Sequence, residues 1–152
     1  MIKINVIVKN KSWFKFVKNP EIYLKKKLKK IENDKFFKKK TYNFNIQLSG
    51  TKEIKKLNKK FRNKNKSTDI LSFPYQTKKK LKKLLINNSK IYLGDIIINY
   101  KKMNTSSKNL FKDHLNILWI HGLVHLFGYE HKKNNNFKKM QIIEKKFLKK
   151  IS

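Results

Sequence analysis

Apolar and polar residues alternate at the start of the chain, with Ile2, Ile4, Val6 and Val8 on one face and only Ile7 out of phase, and this period of two predicts a strand over residues 2 to 8. A cleaner alternation, Tyr42, Phe44, Ile46 and Leu48 between Thr41 and Ser49, predicts a second strand. Between the two the period lengthens. Asn19 and Pro20 supply a cap and a first-turn proline, and Leu24, Leu28 and Ile31 then fall on one stripe of a helix running to about Asp34, its outer face covered by lysine. After Gly50, Thr51 is placed as the N-cap of a helix whose Ile54, Leu57 and Phe61 share one side and are expected in the core.

Thr68 to Pro74 reads as a short strand ended by its proline, and residues 76 to 90 as a lysine-rich, irregular stretch with a short helix over Leu81 to Leu85. Ile91 to Ile98 is a strand whose nearly unbroken apolar run implies burial on both faces. A long helix from about Asn104 carries Leu110, Leu115, Leu118 and Trp119, and a last one from about Asn136 spaces Phe137, Met140, Glu144 and Phe147 helically. The order βαβαββαα predicts an α+β fold: one domain over residues 1–152, a single mixed β-sheet of about four strands packed with helices, and no repeat or internal boundary. A chain of 152 residues is long enough to bury a substantial core.

Composition sharpens this picture in two respects. No stretch approaches the ~20 apolar residues of a membrane span, and the first residues lack the long apolar run and small-residue cleavage site of a signal peptide, so a soluble cytoplasmic protein without membrane partners is expected. The absence of cysteine agrees with a reducing compartment. The net charge of +31, from 40 Lys+Arg against 9 Asp+Glu, gives a strongly positive field for which RNA is the obvious partner. Abundant Lys, Asn and Ile also indicate a compositional bias, and runs such as Lys25-Lys26-Lys27 and Lys78-Lys79-Lys80 carry no base-reading information. Only one of the 40 basic residues is arginine, Arg62.

The candidate chemistry lies in His121-Gly122-Leu123-Val124-His125-Leu126-Phe127-Gly128-Tyr129-Glu130-His131, which holds three of the four histidines. His121 and His125, one helical turn apart, project from one face and can reach one ion together. Gly128 can end the helix in the left-handed conformation and let the chain double back, bringing His131 in as a third ligand. Three neutral imidazoles with a position left open is the pattern of a catalytic zinc site, whereas a closed structural site would add a fourth protein ligand. Nickel or iron would also suit three imidazoles. The same spacing occurs in metzincin proteases, but those place a glutamate general base directly after the first histidine, where this chain has Gly122. Glu130, before the third histidine, is not an evident substitute.

The full string resembles the YbeY family of rRNA-maturation endoribonucleases, with the pattern His-Gly-x-Leu-His-Leu-x-Gly-Tyr-Asp-His. It matches at His121, Gly122, His125, Leu126, Gly128, Tyr129 and His131, and departs at Val124 and Glu130. Further blocks agree in order: Leu57-Asn58 with Phe61-Arg62, Ser67 to Pro74, Leu93 to Ile96, and Met140 with Glu144. The resemblance implies a zinc-dependent, single-strand-specific endoribonuclease that matures the 3′ end of small-subunit rRNA and serves ribosome quality control. It would hold one zinc ion per chain through His121, His125 and His131, on the last-but-one helix and the loop after it, and would work on the small ribosomal subunit. Arg62 matches the family's functional arginine; its guanidinium could grip a phosphate through two parallel hydrogen bonds. Among weaker candidates, Asp69 could cap a loop and Asp95 could orient a histidine ring, although structural roles are the expectation for both. His114, two turns before His121 on the same helix face, is expected to be a partly exposed helix residue rather than a substrate contact. Two other readings stand beside this one: a non-catalytic ribosome- or rRNA-binding assembly factor with structural zinc, and a metzincin-like metalloprotease.

Overall fold

Burial of alternate side chains on β1 (Ile2–Val8) and β2 (Thr41–Ser49), and of both faces of β4 (Lys90–Asn99), builds the centre of the computed structural model, which describes residues 1–131 and 134–152. The sheet has four strands in the order β1-β2-β4-β3, with β1, β2 and β4 parallel and the short β3 (Ile70–Pro74) antiparallel at one edge. The expected α+β fold with one mixed four-stranded sheet is therefore what the chain adopts. Around the sheet lie α1 (Pro20–Lys29), α2 (Thr51–Arg62), α3 (Lys78–Asn87), α4 (Lys108–Leu126) and α5 (Asn134–Ile151). No helix among the described residues is long and apolar enough to cross a membrane.

One face of the sheet carries the principal core. Tyr42, Phe44, Ile46, Leu48, Ile96 and Ile98 meet α4 through Leu115, Trp119, Leu123 and Val124, all buried. On the opposite face α2 covers part of the sheet, and Ile54, Leu71 and Ile97 form a second small cluster beneath it. This is why β4 is buried on both sides, as its apolar run implies. Coverage stops there, however. Ile54 is fully buried, but Phe61, two turns further along α2, is 59% exposed and meets Phe73 at the rim with ring centres 5.3 Å apart and planes tilted by 59°. Helical spacing identifies the side of α2 that faces the sheet, and the edge position of β3 decides how far that side is covered.

Several boundaries differ from the sequence expectations for reasons visible in hydrogen bonds. Gly50, not Thr51, is the N-cap of α2, and Thr51 is its first residue, its hydroxyl turned to Asn99. Helix α1 ends at Lys29 rather than near Asp34, whose carboxylate instead accepts from the Phe36 N–H at 2.9 Å and caps a 3₁₀ turn, Lys35–Phe37. Segment 76–90 is not irregular: α3 is a ten-residue helix capped by the Thr77 hydroxyl. Its apolar stripe, Leu81, Leu84 and Leu85, is hidden in sequence by the lysines of the exposed side, so the element order becomes βαβαβαβαα. Helix α4 begins at Lys108 because the Ser107 hydroxyl takes the Leu110 N–H, while Asn104 closes a turn with the Ser106 N–H before it; Leu110 is 46% exposed.

Two features hold the ends of the fold in place. Asp34, its side chain only 5% exposed, accepts from Lys146 at 2.9 Å and Lys150 at 2.7 Å and so ties α5 to the turn after α1. Those ammoniums, with the Phe36 N–H, overcome the effect of burial and hold the Asp34 carboxyl well below the usual carboxylate range. In β4, Gly94 stands at φ +135° where the register with β2 slips by one residue between Asn43 and Phe44. A side chain there would run into the Phe73 carbonyl. Gly94→Ala is therefore expected to destabilise the protein by about 2–4 kcal/mol, measured as a lowered urea midpoint; an unchanged midpoint would show that the bulge relaxes without cost.

Candidate metal centre

The C-terminal half of α4 is apolar nearly all round, and its two histidines stand where the helix turns away from the sheet. Gly122 marks the face turned toward the sheet: a Cβ at that position would sit 3.0 Å from two carbons of Ile96 and 3.1 Å from Ile70. Absence of a side chain lets α4 lie close on β3 and β4. His121 and His125 are one turn apart, with ring centroids separated by 4.5 Å and planes at 86°. The helix stops as expected, the Gly128 N–H bonding to the His125 carbonyl at 2.9 Å with φ at +91°. The reversed chain brings His131 back to stack on His121, centroids 4.6 Å apart and planes 15° from parallel.

The outer nitrogens of the rings fix their orientation. Glu144 on α5 accepts from His121 Nδ1 at 2.8 Å, and the Tyr129 carbonyl accepts from His125 Nδ1 at 2.7 Å. A carbonyl can only accept, and a carboxylate prefers to, so in the neutral rings both Nδ1 atoms carry the proton and both Nε2 atoms present a lone pair. Those Nε2 atoms lie 3.1 Å apart, and His131 Nε2 is also 3.1 Å from His121 Nε2. Two facing lone pairs at that distance repel unless a cation lies between them. Ligands about 2.0–2.1 Å from a tetrahedral ion stand roughly 3.3 Å from one another, close to the observed spacing. The donor atoms of the three histidines lie within 4.8 Å of one another. They could therefore hold one metal ion, and the set fits a borderline, imidazole-preferring ion.

Electrostatics agree with this role. Burial, reinforced by the neighbouring His121, pushes His125 down to about 4 from its ordinary value of 6.5, so its lone pair stays free at neutral pH. Burial and His121 also lower His131, although that ring stands at the surface.

The histidines form one wall of a cleft of about 900 Å³. Arg62 stands on another wall, at the last turn of α2, where its Nη2 donates to the Ser72 carbonyl at 3.2 Å and its guanidinium lies 5.9 Å from the Phe73 ring centre. Asp69 and Glu130 also line the cleft. Asp69 accepts from the hydroxyl of the preceding Thr68 at 3.3 Å, and no backbone N–H of a described residue donates to its carboxylate. Asp95 does not orient a histidine: it accepts from Tyr92 and Asn45, both at 2.8 Å, on the outer face of the sheet. Glu144 does that work instead, and the sequence signal was a carboxylate on the otherwise apolar stripe of α5. His114 lies outside the cleft, its Nδ1 accepting the Asn104 N–H at 3.0 Å.

Comparison with known proteins gives a consistent result. A family model described as endoribonuclease YbeY matches residues 7–152. A Pelagibacter ubique (strain HTCC1062) protein named endoribonuclease YbeY is 44% identical over 144 residues, covering 92% of this chain and 90% of the relative. Its namesake in Buchnera aphidicola subsp. Schizaphis graminum is 36% identical over 153 residues, covering 96% and 89%. Among solved structures, the solution structure of TM1509 from Thermotoga maritima superimposes with a TM-score of 0.55 at 27% identity, covering 99% of this chain and 89% of that one.

Two outcomes are expected of the centre. Glu144→Gln removes the charged acceptor that fixes the His121 ring, and metal affinity in a competitive chelator titration should fall about 10- to 100-fold; unchanged affinity would show that Glu144 has no part in the site. In the metal-free protein, His125 titrates near 6.5 when unfolded and at about 4 when folded. Between these values the unfolded chain binds the extra proton. Stability in chelator should be level above pH 6.5 and decline as pH falls from 6.5 toward 4. Urea unfolding across that range measures it, and a His125→Asn variant should show a shallower decline.

Proposed function

The chain belongs to the endoribonuclease YbeY family, and from that premise we propose that it cuts single-stranded RNA with a zinc ion held by His121, His125 and His131. The substrate is the 3′ region of small-subunit rRNA, and the place of work is the cytoplasm, on the small ribosomal subunit, where the reaction also serves ribosome quality control. The observation that carries the reading is the pair of facing Nε2 lone pairs 3.1 Å apart, each fixed by a partner on the far side of its ring.

Zinc is favoured because all three donors are imidazole and none is thiolate, which suits a catalytic ion with an open position. When bound there it would supply Lewis acidity toward a phosphoryl oxygen and make water a better nucleophile near neutral pH. The chain's own residues do the rest. Glu144 and the Tyr129 carbonyl hold the Nδ1 protons, so the rings cannot rotate away from the ion. Arg62, steadied by the Ser72 carbonyl and the Phe73 ring, grips the phosphate across the cleft and offsets the charge that grows on its oxygens. Ser72 is itself fixed, buried against α4 with its hydroxyl 3.5 Å from the Gly122 carbonyl, so the arginine is referenced to the histidine helix.

A protease reading has no support from this geometry. The residue after the first histidine is Gly122, which has no side chain to serve as a general base toward a metal-bound water. Replacing His125 by alanine is expected to abolish chelator-sensitive cleavage of single-stranded RNA while RNA affinity is retained. Arg62→Lys should lower the cleavage rate by about 10²-fold, the scale for loss of an aimed charge-stabilising donor. Cleavage that survives both metal removal and His125→Ala would overturn the reading. Loss of affinity in step with cleavage would favour the non-catalytic assembly factor.

A further inference from the structure

The lysine-rich segment that includes α3 takes no part in holding the ion, yet the fold sets it beside the cleft. Leu81 is buried, and between α3 and the Lys35–Phe37 turn lies a second cavity of about 340 Å³ that shares Lys78 and Tyr129 with the metal cleft. Its floor is aromatic. Phe36 and Tyr129 are half-buried, with centroids 6.1 Å apart and planes 36° from parallel. Phe36 is pinned from below by edge contacts with Phe37, Phe127 and Phe147 at 5.1, 4.9 and 5.4 Å.

Its rim is cationic. Lys35, Lys38, Lys78 and Lys82 are exposed around the opening, and none forms an ion pair with a described residue. Lys78 places its ammonium 5.3 Å from the Tyr129 ring centre. Lys38 holds a left-handed backbone with φ at 50°, a conformation in which lysine is uncommon, at the end of the 3₁₀ turn. Among the described residues no acidic one lines this cavity, whereas the groove on the outer face of the sheet includes Glu53 and Asp95.

We infer that this cavity is a binding subsite for the single-stranded RNA nucleotide flanking the phosphodiester held in the metal cleft. A base packs on the Phe36 and Tyr129 floor, and the neighbouring phosphates are met by Lys35, Lys38 and Lys82. Stacking faces combined with a basic rim are how proteins hold single strands without reading their sequence. Ammonium groups sense charge rather than base edges, so the subsite tolerates any base. The inference rests on the RNA-cleaving reading and deepens it. Continuity carries it: Lys78 and Tyr129 belong to both cavities, and the Tyr129 carbonyl that fixes His125 belongs to a residue whose ring floors the subsite.

The test compares the full chain with a Lys35→Gln/Lys38→Gln/Lys82→Gln variant. A control, Lys3→Gln/Lys26→Gln/Lys149→Gln, removes the same charge from exposed positions that line neither cavity. Affinity for a fluorescent oligouridylate of about a dozen nucleotides is measured in chelator, so that nothing is cut, over a range of salt. Three lost phosphate contacts should reduce the slope of log affinity against log salt by about 2 and weaken binding about tenfold at low salt. The control should lose much less of either. Equal losses in the two variants overturn the subsite and leave the nuclease reading standing. A wild-type chain with no affinity for the oligouridylate overturns both.

Discussion

Two imidazole nitrogens on successive turns of α4 are pressed to 3.1 Å by groups that hold their rings from behind, and most of the molecule can be understood as the means of keeping them there. Left alone, two lone pairs at that distance would move apart by rotation about the side-chain bonds. Glu144 and the Tyr129 carbonyl prevent this, each engaging the Nδ1 proton of one ring. Those restraints depend on distant parts of the chain. Glu144 is in place only because α5 docks, through buried Met140, Phe147 and Ile151 and through the Asp34 carboxylate on Lys146 and Lys150. Tyr129 is in place because Gly128 can take a positive φ and reverse the chain. The orientation of both rings is thus set by the fold around them, which lowers the cost of arranging ligands for an ion.

The close approach of α4 to the sheet serves the other wall of the cleft. With no side chain at Gly122, the helix settles on Ile96 and Ile70, and β3 lies near enough for Ser72 to sit under the histidine helix. Arg62 then reaches back to the Ser72 carbonyl from the end of α2. The same glycine that brings the two walls together removes the position from which a peptidase base would work. One packing requirement thus shapes both what the cleft can bind and which hydrolysis it can support.

Charge is distributed less evenly than a net +31 suggests. The few acids are used sparingly: Asp34 clamps α5, Glu144 orients His121, and Asp95 is satisfied by Tyr92 and Asn45. Lysines fill about half of the exposed positions, and several of those on α1 and α5 form no ion pair with a described residue. Around the Phe36 and Tyr129 floor, however, lysines without acidic partners adjoin aromatic rings next to the cleft, and compositional bias acquires a geometry.

The alternation on β1 and β2, the nearly unbroken apolar run of β4 and the histidine spacing on α4 were legible in the sequence, because each is a local periodicity that one backbone conformation satisfies. The glycine that stops α4 belonged to the same class, since it is required by the backbone whatever surrounds it. Helix α3 was obscured because lysines dominate a segment whose apolar stripe is only three leucines wide. The exposure of Phe61 depended on where the edge strand ends, which no window of sequence contains. Glu144, with no role assigned from sequence alone, orients His121 and Asp95 does not, because the partner of a histidine ring is chosen by which element packs beside it, 23 residues away along the chain in the case of Glu144. Periodicity and backbone limits act between neighbours and are written in sequence; the pairing of side chains across α4, α5 and β3 is set by packing, and only the folded chain decides it.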